Sequence, residues 1–394
     1  MSHVRTNPYR PSIKEKMDAR QPEPEPARSL ASRLRERIGL HGAMTFREWM
    51  AAALYDKEEG YYCRRDLLRW GRAGDYRTAP ERSPLFAATF ARYFVRLYEE
   101  AGAPASWIII EAGAGAGDFA AGVLETLRRD YLHVFAATRY VIDEESAHAT
   151  KIARAKLSSF KERVEFGRLN ELSAPLDTAL VFANELLDAL PVHRVTMRDG
   201  QLLELCVGCD AAGNFVWITR PLSTARLAGY FERLRIKLTE GQTAEVNLEA
   251  VDWIQRVASH LRSGFLVTVD YGAWANELYQ SDERRSGTLR AFHRHRFADN
   301  PLAHPGEQDL TTTVDWTSIK TAGADAGLQS ILFERLDRFL LQAGLLEQLE
   351  RLTVNAEAEA TVAALRAGAR DMILPGGMSA SFQVLVQKAS ADDA

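Results

Sequence analysis

The chain reads as an α/β protein built on a Rossmann-like, doubly wound parallel sheet. Three observations lead there. From residue 105 onward, short apolar runs alternate with amphipathic segments of about 10–15 residues, the rhythm of βαβ units. Residues 107–120, WIIIEAGAGAGDFA, run from an apolar strand through three alternate glycines into a helix start, the first turn of a nucleotide-type fold. The 394 residues, 46% hydrophobic and 26% charged, are also enough to bury a large core.

Taken in order, residues 1–28 are rich in Pro, Arg and Glu without apolar periodicity, and a disordered tail is expected. Residues 29–104 form an N-terminal helical and loop extension. Its helix MTFREWMAAALYD gathers Phe46, Trp49, Met50, Ala53 and Leu54 on one face, with Thr45 as N-cap and Glu48 at the capping-box spacing. PLFAATFARYFVRLYEE is a second helix there. Residues 105–189 hold the first half of the core: strand WIIIEAG, helix DFAAGVLETLRRD, strand TRYVIDEES, helix AHATKIARAKLSSF, strand RVEFG and strand LDTALVFAN. Residues 190–243 read as an inserted hairpin subdomain. Residues 244–272 continue the core with helix VNLEAVDWIQRVASHL and strand SGFLVTVDYG. Residues 273–312, polar and rich in Arg and His, read as a long insertion loop. Residues 313–394 complete the core and end in SASFQVLVQKA, expected as an edge strand.

Composition excludes several classes. A formal charge of −4 gives no bulk attraction to nucleic acid. No apolar stretch approaches the roughly 18–20 residues needed for membrane insertion. The N-terminus has no apolar h-region and carries Glu15 and Asp18, so neither a secretory nor an acid-poor transit signal is expected. Three cysteines fit a reducing compartment, and a cytoplasmic protein is the expectation. Cys206 and Cys209 form a C-x-x-C, yet no second pair completes a metal site, so a structural hairpin role is expected.

The glycine loop discriminates between cofactors. A dinucleotide fingerprint would place its third glycine at 118, where Asp118 stands, and a carboxylate at a helix N-terminus is a poor neighbour for pyrophosphate. No Lys-Ser/Thr follows, which excludes a P-loop. S-adenosylmethionine (SAM) carries a sulfonium cation and no phosphate, so acidic surroundings suit it. Glu111 is placed to face its amino-acid or sulfonium end. The second strand ends YVIDEES, where Glu144 is the better ribose partner and Asp143 the alternative. Gly113 and Glu144 lie 31 positions apart, so the intervening helix or loop must be extended.

VFANELLDALPV is the second informative stretch. Asn184, Glu185 and Asp188 follow a strand at its carboxyl end, where ligands bind in open α/β sheets. In a helical turn Glu185 and Asp188 would share a face and could bind a guanidinium or take a proton from an attacking nitrogen. The plainer alternative is a turn capped by Asp188 before Pro191, with Glu185 in solvent. His293, Arg294, His295 and Asp309 either line a substrate cleft or belong to an exposed polar loop.

Together FREWMAAALYDKEEGYY, GRAGDYRTAPERSPLF, EAGAGAGDFAAGVL, ANELLDALPVHRV, TVDYG and GTLRAFHRH with PGEQDLTTTVDW resemble the MidA-type SAM-dependent methyltransferases, from about residue 38 to 340. That family includes a mitochondrial complex I assembly methyltransferase that dimethylates arginine on a complex I subunit. The resemblance implies a class I methyltransferase fold, SAM as donor, and arginine on a protein substrate as acceptor. It implies that Gly113, Gly115, Gly117 and Glu144 contact SAM, that Gly74, Asp75 and Thr78 close over it, and that Asn184, Glu185 and Asp188 lie beside the transferred methyl. His295 and Asp309 match family positions and are assigned to substrate binding. Ala112, Ala114 and Ala116 replace the family's usual Leu, Pro and Arg in this loop. A non-catalytic assembly scaffold and a small-molecule methyltransferase are the alternatives; a homodimer is left open.

Overall fold

In the computed structural model, residues 29–64, 83–171, 175–294, 296–354, 356–374 and 377–390 are described. Seven strands form the main sheet: β1 (Trp107–Ala112), β2 (Thr138–Asp143), β3 (Val164–Phe166), β4 (Ala179–Asn184), β5 (Gly264–Ala273), β6 (Gln329–Arg335) and β7 (Phe382–Ala389). Their spatial order is β6-β7-β5-β4-β1-β2-β3, and the short strand Val314–Asp315 adds to the end of β5. Strands β1 to β5 run parallel, and β7 lies antiparallel between β5 and β6.

Strand β1 is apolar because both its faces are covered. Ile109 joins one hydrophobic layer and Ile110 the other, as expected for a parallel sheet with helices on both sides. Helices Pro84–Glu100 and Asp118–Asp130 cover the first face, where Phe119 stacks on Phe182 with ring centroids 4.3 Å apart. Helices Leu248–His260 and Trp316–Asp325 cover the second. The long interval before β2 is accounted for by a further helix, Leu132–Ala137.

Chain order reverses between β1 and β4, which opens a crevice at the carboxyl ends of the strands. Register aligns that rim: Ala112 pairs with both Asp143 and Ala183, and Asn184 pairs with Val269. The residues that follow, Gly113, Glu144, Glu185 and Asp270, therefore share one edge.

The extension packs onto the inserted sheet. Thr45 and Glu48 form the reciprocal capping box that starts helix Phe46–Tyr55, and Phe46, Trp49, Met50, Ala53 and Leu54 are all buried. Strand Met44–Thr45 pairs with Gln201–Cys209, which also pairs with His193–Arg198 and Phe215–Arg220. Cys206 and Cys209 both lie in that strand as free thiols, and burial pushes the Cys206 thiol up to about 11.

Two expectations are corrected. The last strand is not at the edge: β6 pairs along its outer side and takes that position. Residues 273–312 are not one loop. They contain helix Ala275–Tyr279 and a small sheet of Arg290–His293, Arg296–Phe297 and Asp309–Thr311. Strands this short have no readable periodicity. The tail at 1–28, and with it the expectation of disorder, falls outside the described residues.

Candidate active site

Local chemistry builds the glycine loop. Gly113, Gly115 and Gly117 have φ of +71°, +54° and +77°, the left-handed region that a Cβ disfavours. Space is also tight at two of the three. A Cβ on Gly113 would sit 3.1 Å from Leu186 Cδ1, and one on Gly117 would sit 3.0 Å from Ala153 Cβ. Gly117 thus allows helix Ala147–Lys156 to approach the loop, the close-packing role that a dinucleotide motif gives to a later glycine. Gly117→Ala is expected to lower stability by about 1–3 kcal/mol through backbone strain and this contact; an unchanged urea midpoint would refute it.

Glu144 faces the loop. Its Oε2 accepts from the Gly115 amide at 2.8 Å and its Oε1 from the Ser146 amide at 2.7 Å. Asp143 turns the other way, toward Arg168 at 3.1 Å and the Leu169 amide at 3.1 Å. Of the two acids weighed for the ribose, only Glu144 borders the glycines. The loop suits SAM: it is narrow and sharply turned, and it is flanked by the acids Glu144 and Asp118, with Lys156 paired to Asp118.

Glu111 sits deeper than expected. It is 5% exposed and accepts from the Tyr140 hydroxyl at 2.7 Å. Burial raises its carboxyl to about 8, against the pull of the Tyr140 hydrogen bond, with Glu144 and Asp118 adding to the rise. The folded state therefore holds a proton that the unfolded chain releases near the ordinary value. Stability from this group is present below about 4.5 and is lost as pH climbs to about 8. Glu111→Gln keeps an acceptor for Tyr140 without the charge. The fall in urea midpoint between pH 5 and 8 is expected to be shallower in this variant, and an identical slope would refute the assignment.

The turn after β4 is not helical. Glu185 adopts φ +52°, and the chain then makes a tight turn through Leu187–Ala189. The expected helical face is replaced by a strained corner, because the Leu187 and Asp188 amides both donate to Asp270 Oδ2, at 3.0 and 3.2 Å. Asn184 Nδ2 donates to Glu185 Oε1 at 3.2 Å. Asp188 is 5% exposed; its Oδ2 accepts from Thr311 Oγ1 at 2.7 Å, while its Oδ1 has no partner among the described residues. Glu185 is half-buried rather than fully in solvent, and loss of hydration raises its carboxyl well above the usual range, helped by Asp188 and Asp309. Asp188 is also raised by burial, opposed by the Thr311 and Tyr271 hydroxyls and by Arg290. Asp270 is raised by burial, Asp188 and Glu185. Mutually raised buried carboxylates mark a place that favours an incoming cation or a proton.

Other segments wall this cluster. Tyr55 donates to the Ala189 carbonyl at 3.0 Å, and Tyr62 donates to Asp309 Oδ1 at 2.7 Å. Asp309, 8% exposed, thus joins the carboxylate group that raises Glu185. His293 turns to Glu307 at 3.7 Å and stacks on His304, and Arg294 sits at φ +50°. Gly74, Asp75, Thr78 and His295 lie outside the described residues. Tyr55, Tyr62, Asp270, Tyr271, Arg290 and Thr311 were not singled out from the sequence; only the position of Asp270, at the end of an apolar strand, offered a signal.

Comparison with known proteins identifies the family and its methyl donor. Residues 89–333 match the family described as S-adenosyl-L-methionine-dependent methyltransferase. A crystal structure from Burkholderia thailandensis, bound to S-adenosyl-homocysteine, is similar at 30% identity and a TM-score of 0.79, covering 91% of each chain. The Drosophila melanogaster protein arginine methyltransferase NDUFAF7 homolog, mitochondrial, is 27% identical, over 74% of this chain and 69% of its own. The human protein arginine methyltransferase NDUFAF7, mitochondrial, is 26% identical over 76% and 70%. These relatives overturn the cytoplasmic expectation, since they are named as mitochondrial proteins. The chain belongs to the S-adenosyl-L-methionine-dependent methyltransferase family and is an enzyme that takes its methyl group from SAM.

Proposed function

We propose that the acceptor is an arginine side chain of a protein, held between Glu185 and Asp188. The observation that carries this reading is Asp188 Oδ1, a buried carboxylate oxygen with no partner among the described residues, beside the half-buried acid Glu185 at the rim of the glycine crevice. A guanidinium presents several N–H donors in a planar fork and can satisfy both acids at once. The names of the relatives, protein arginine methyltransferases, support the same acceptor. A subunit of a respiratory complex is the class of protein that the family resemblance favours.

On this reading Gly113, Gly115, Gly117 and Glu144 hold the donor. Bound there, SAM supplies a methyl on a sulfonium, and sulfur keeps the electron pair of the broken S–C bond as the N–C bond forms. Glu185 orients the guanidinium nitrogen and, ionised by the neighbouring cation, accepts its proton. Asp188 balances the cation, Asn184 keeps Glu185 in place, and Glu111 braces the loop from below through Tyr140. Asp309 lines the acceptor side with Tyr62. The roles given to Gly74, Asp75 and Thr78 over the donor, and to His295 at the acceptor, rest on the family resemblance.

Incubating the protein with methyl-labelled SAM and a lysate of its own organism tests this directly. A labelled protein band whose hydrolysate contains methylarginine is the expected result. Label confined to the small-molecule fraction, or on another residue type, would overturn it.

A further inference from the structure

Arg290 stands directly opposite Thr311 in the antiparallel pairing of the small sheet, so both side chains leave the same face. Thr311 donates its hydroxyl to Asp188 Oδ2 at 2.7 Å. The Arg290 guanidinium carbon lies 4.6 Å from the centre of the Tyr271 ring, which packs the cation against an aromatic wall. Its Nε and Nη2 are sealed from solvent and have no hydrogen-bond partner among the described residues. Asp188 Oδ1 is in the same condition. Arg290 acts electrostatically on Asp188, yet no hydrogen bond joins them. Around Thr311, then, two donors lack an acceptor on its strand partner Arg290, and one acceptor lacks a donor on its hydrogen-bond partner Asp188. Buried polar groups are rarely left so unless something else completes them.

The unfilled donors are not an arbitrary pair. Nε–H and Nη2–H point in parallel along one edge of the guanidinium, the edge that meets the two oxygens of a carboxylate. We propose that Arg290 is a specificity-determining residue that receives a carboxylate of the methyl acceptor, an Asp or Glu side chain near the arginine to be methylated. The acceptor is then read at two points of opposite charge: its guanidinium by Glu185 and Asp188, its carboxylate by Arg290. Arg290 adjoins Asp188 and Thr311 rather than the glycine loop, which assigns the carboxylate to the acceptor and not to the methionyl end of SAM. The inference rests on the arginine reading above and adds the sequence context of the target.

The test uses the full chain, methyl-labelled SAM and the acceptor found in the lysate, followed by a peptide spanning the mapped arginine. Arg290→Met is expected to lower kcat/KM for the acceptor by roughly 10–100-fold, the range for losing hydrogen bonds to a charged group, chiefly through KM. SAM affinity, measured by calorimetry, stays unchanged, and Arg290→Lys restores only part of the loss because it lacks the fork. Changing the acidic neighbours of the target arginine to Asn or Gln lowers kcat/KM for the wild type by a similar factor. The same peptide change has little effect on Arg290→Met. That peptide arm needs only wild-type protein, so a variant that fails to fold does not stall the test. Equal methylation by Arg290→Met and wild type, indifference of the wild type to the neutralised peptide, or loss of SAM affinity would each overturn the proposal while leaving the arginine reading intact. Label on a residue other than arginine, or no labelled protein at all, rejects the arginine reading and this inference with it.

Discussion

Glu185→Gln is expected to slow methyl transfer by about 10²–10⁴-fold, the usual contribution of a positioned acid–base group, while SAM affinity changes by less than about 1 kcal/mol. The same substitution is expected to leave the fold equally stable or more stable near pH 7.5. Its half-buried carboxyl is raised well above the usual range by lost hydration, Asp188 and Asp309, so the ionised form is disfavoured in the folded state. For a raised acid, stability is present below its ordinary value and is lost as pH climbs toward the folded one, and glutamine avoids that loss. Glu185 also stands at φ +52°, a conformation that costs a non-glycine residue about 1 kcal/mol or more. A carboxyl placed against both its hydration and its backbone preference is the pattern of a functional site rather than a structural one. Transfer rate and melting temperature should therefore move in opposite directions. If both fell together, Glu185 would be holding the fold and the proposed role would fail. Asp188→Asn is a useful contrast. Its Oδ2 accepts from Thr311 and its charge is drawn by the Arg290 cation. Asparagine keeps one acceptor but loses that charge and introduces an NH₂ donor beside buried donors, so the variant is expected to lose transfer and also about 1–3 kcal/mol of stability.

Local patterns made the core of this fold legible. The strand runs of β1, β4 and β5 are continuous and apolar because helices cover both faces, and the glycines announce the turn that joins β1 to its helix. The order of the final strands was not legible in the same way. Val384, Leu385 and Val386 of β7 are fully buried because the strand lies inside the sheet. Its position depends on β6, a half-exposed strand with weaker patterning, closing the edge from outside. The acceptor side was legible only in part. Glu185 and Asp188 stand out at a strand end, but the turn that presents them is shaped by Asp270, 82 positions beyond Asp188. Tyr55 and Tyr62 reach the cluster from the extension and Arg290 from a strand of four residues, and nothing in their own neighbourhoods marks the carboxylates they meet. Periodicity records burial; it does not record which distant segment supplies it.

Glu144→Ala should show the reverse of Glu185→Gln: SAM affinity weaker by roughly 10–100-fold, with transfer at saturating SAM largely retained. Two functions meet in this carboxylate. Each of its oxygens already accepts one backbone amide, from Gly115 and from Ser146, which ties the glycine loop to the end of β2. An ionised carboxylate has about four lone-pair directions, so it can keep both amides and still accept from ribose hydroxyls. Alanine removes the ribose partner and also frees the Gly115 amide, so the loop must be ordered at the expense of binding energy. Glu144→Gln separates the two effects. Its single carbonyl oxygen can satisfy one amide, while its NH₂ group confronts the other donor, so loop attachment suffers even though size is kept. Affinity is therefore expected to fall for both variants, and for neither should kcat at saturating SAM follow it down. Calorimetry with SAM, set beside transfer rates at saturating donor, decides the matter: wild-type affinity in Glu144→Ala would remove Glu144 from the donor site and leave the glycines alone to hold it.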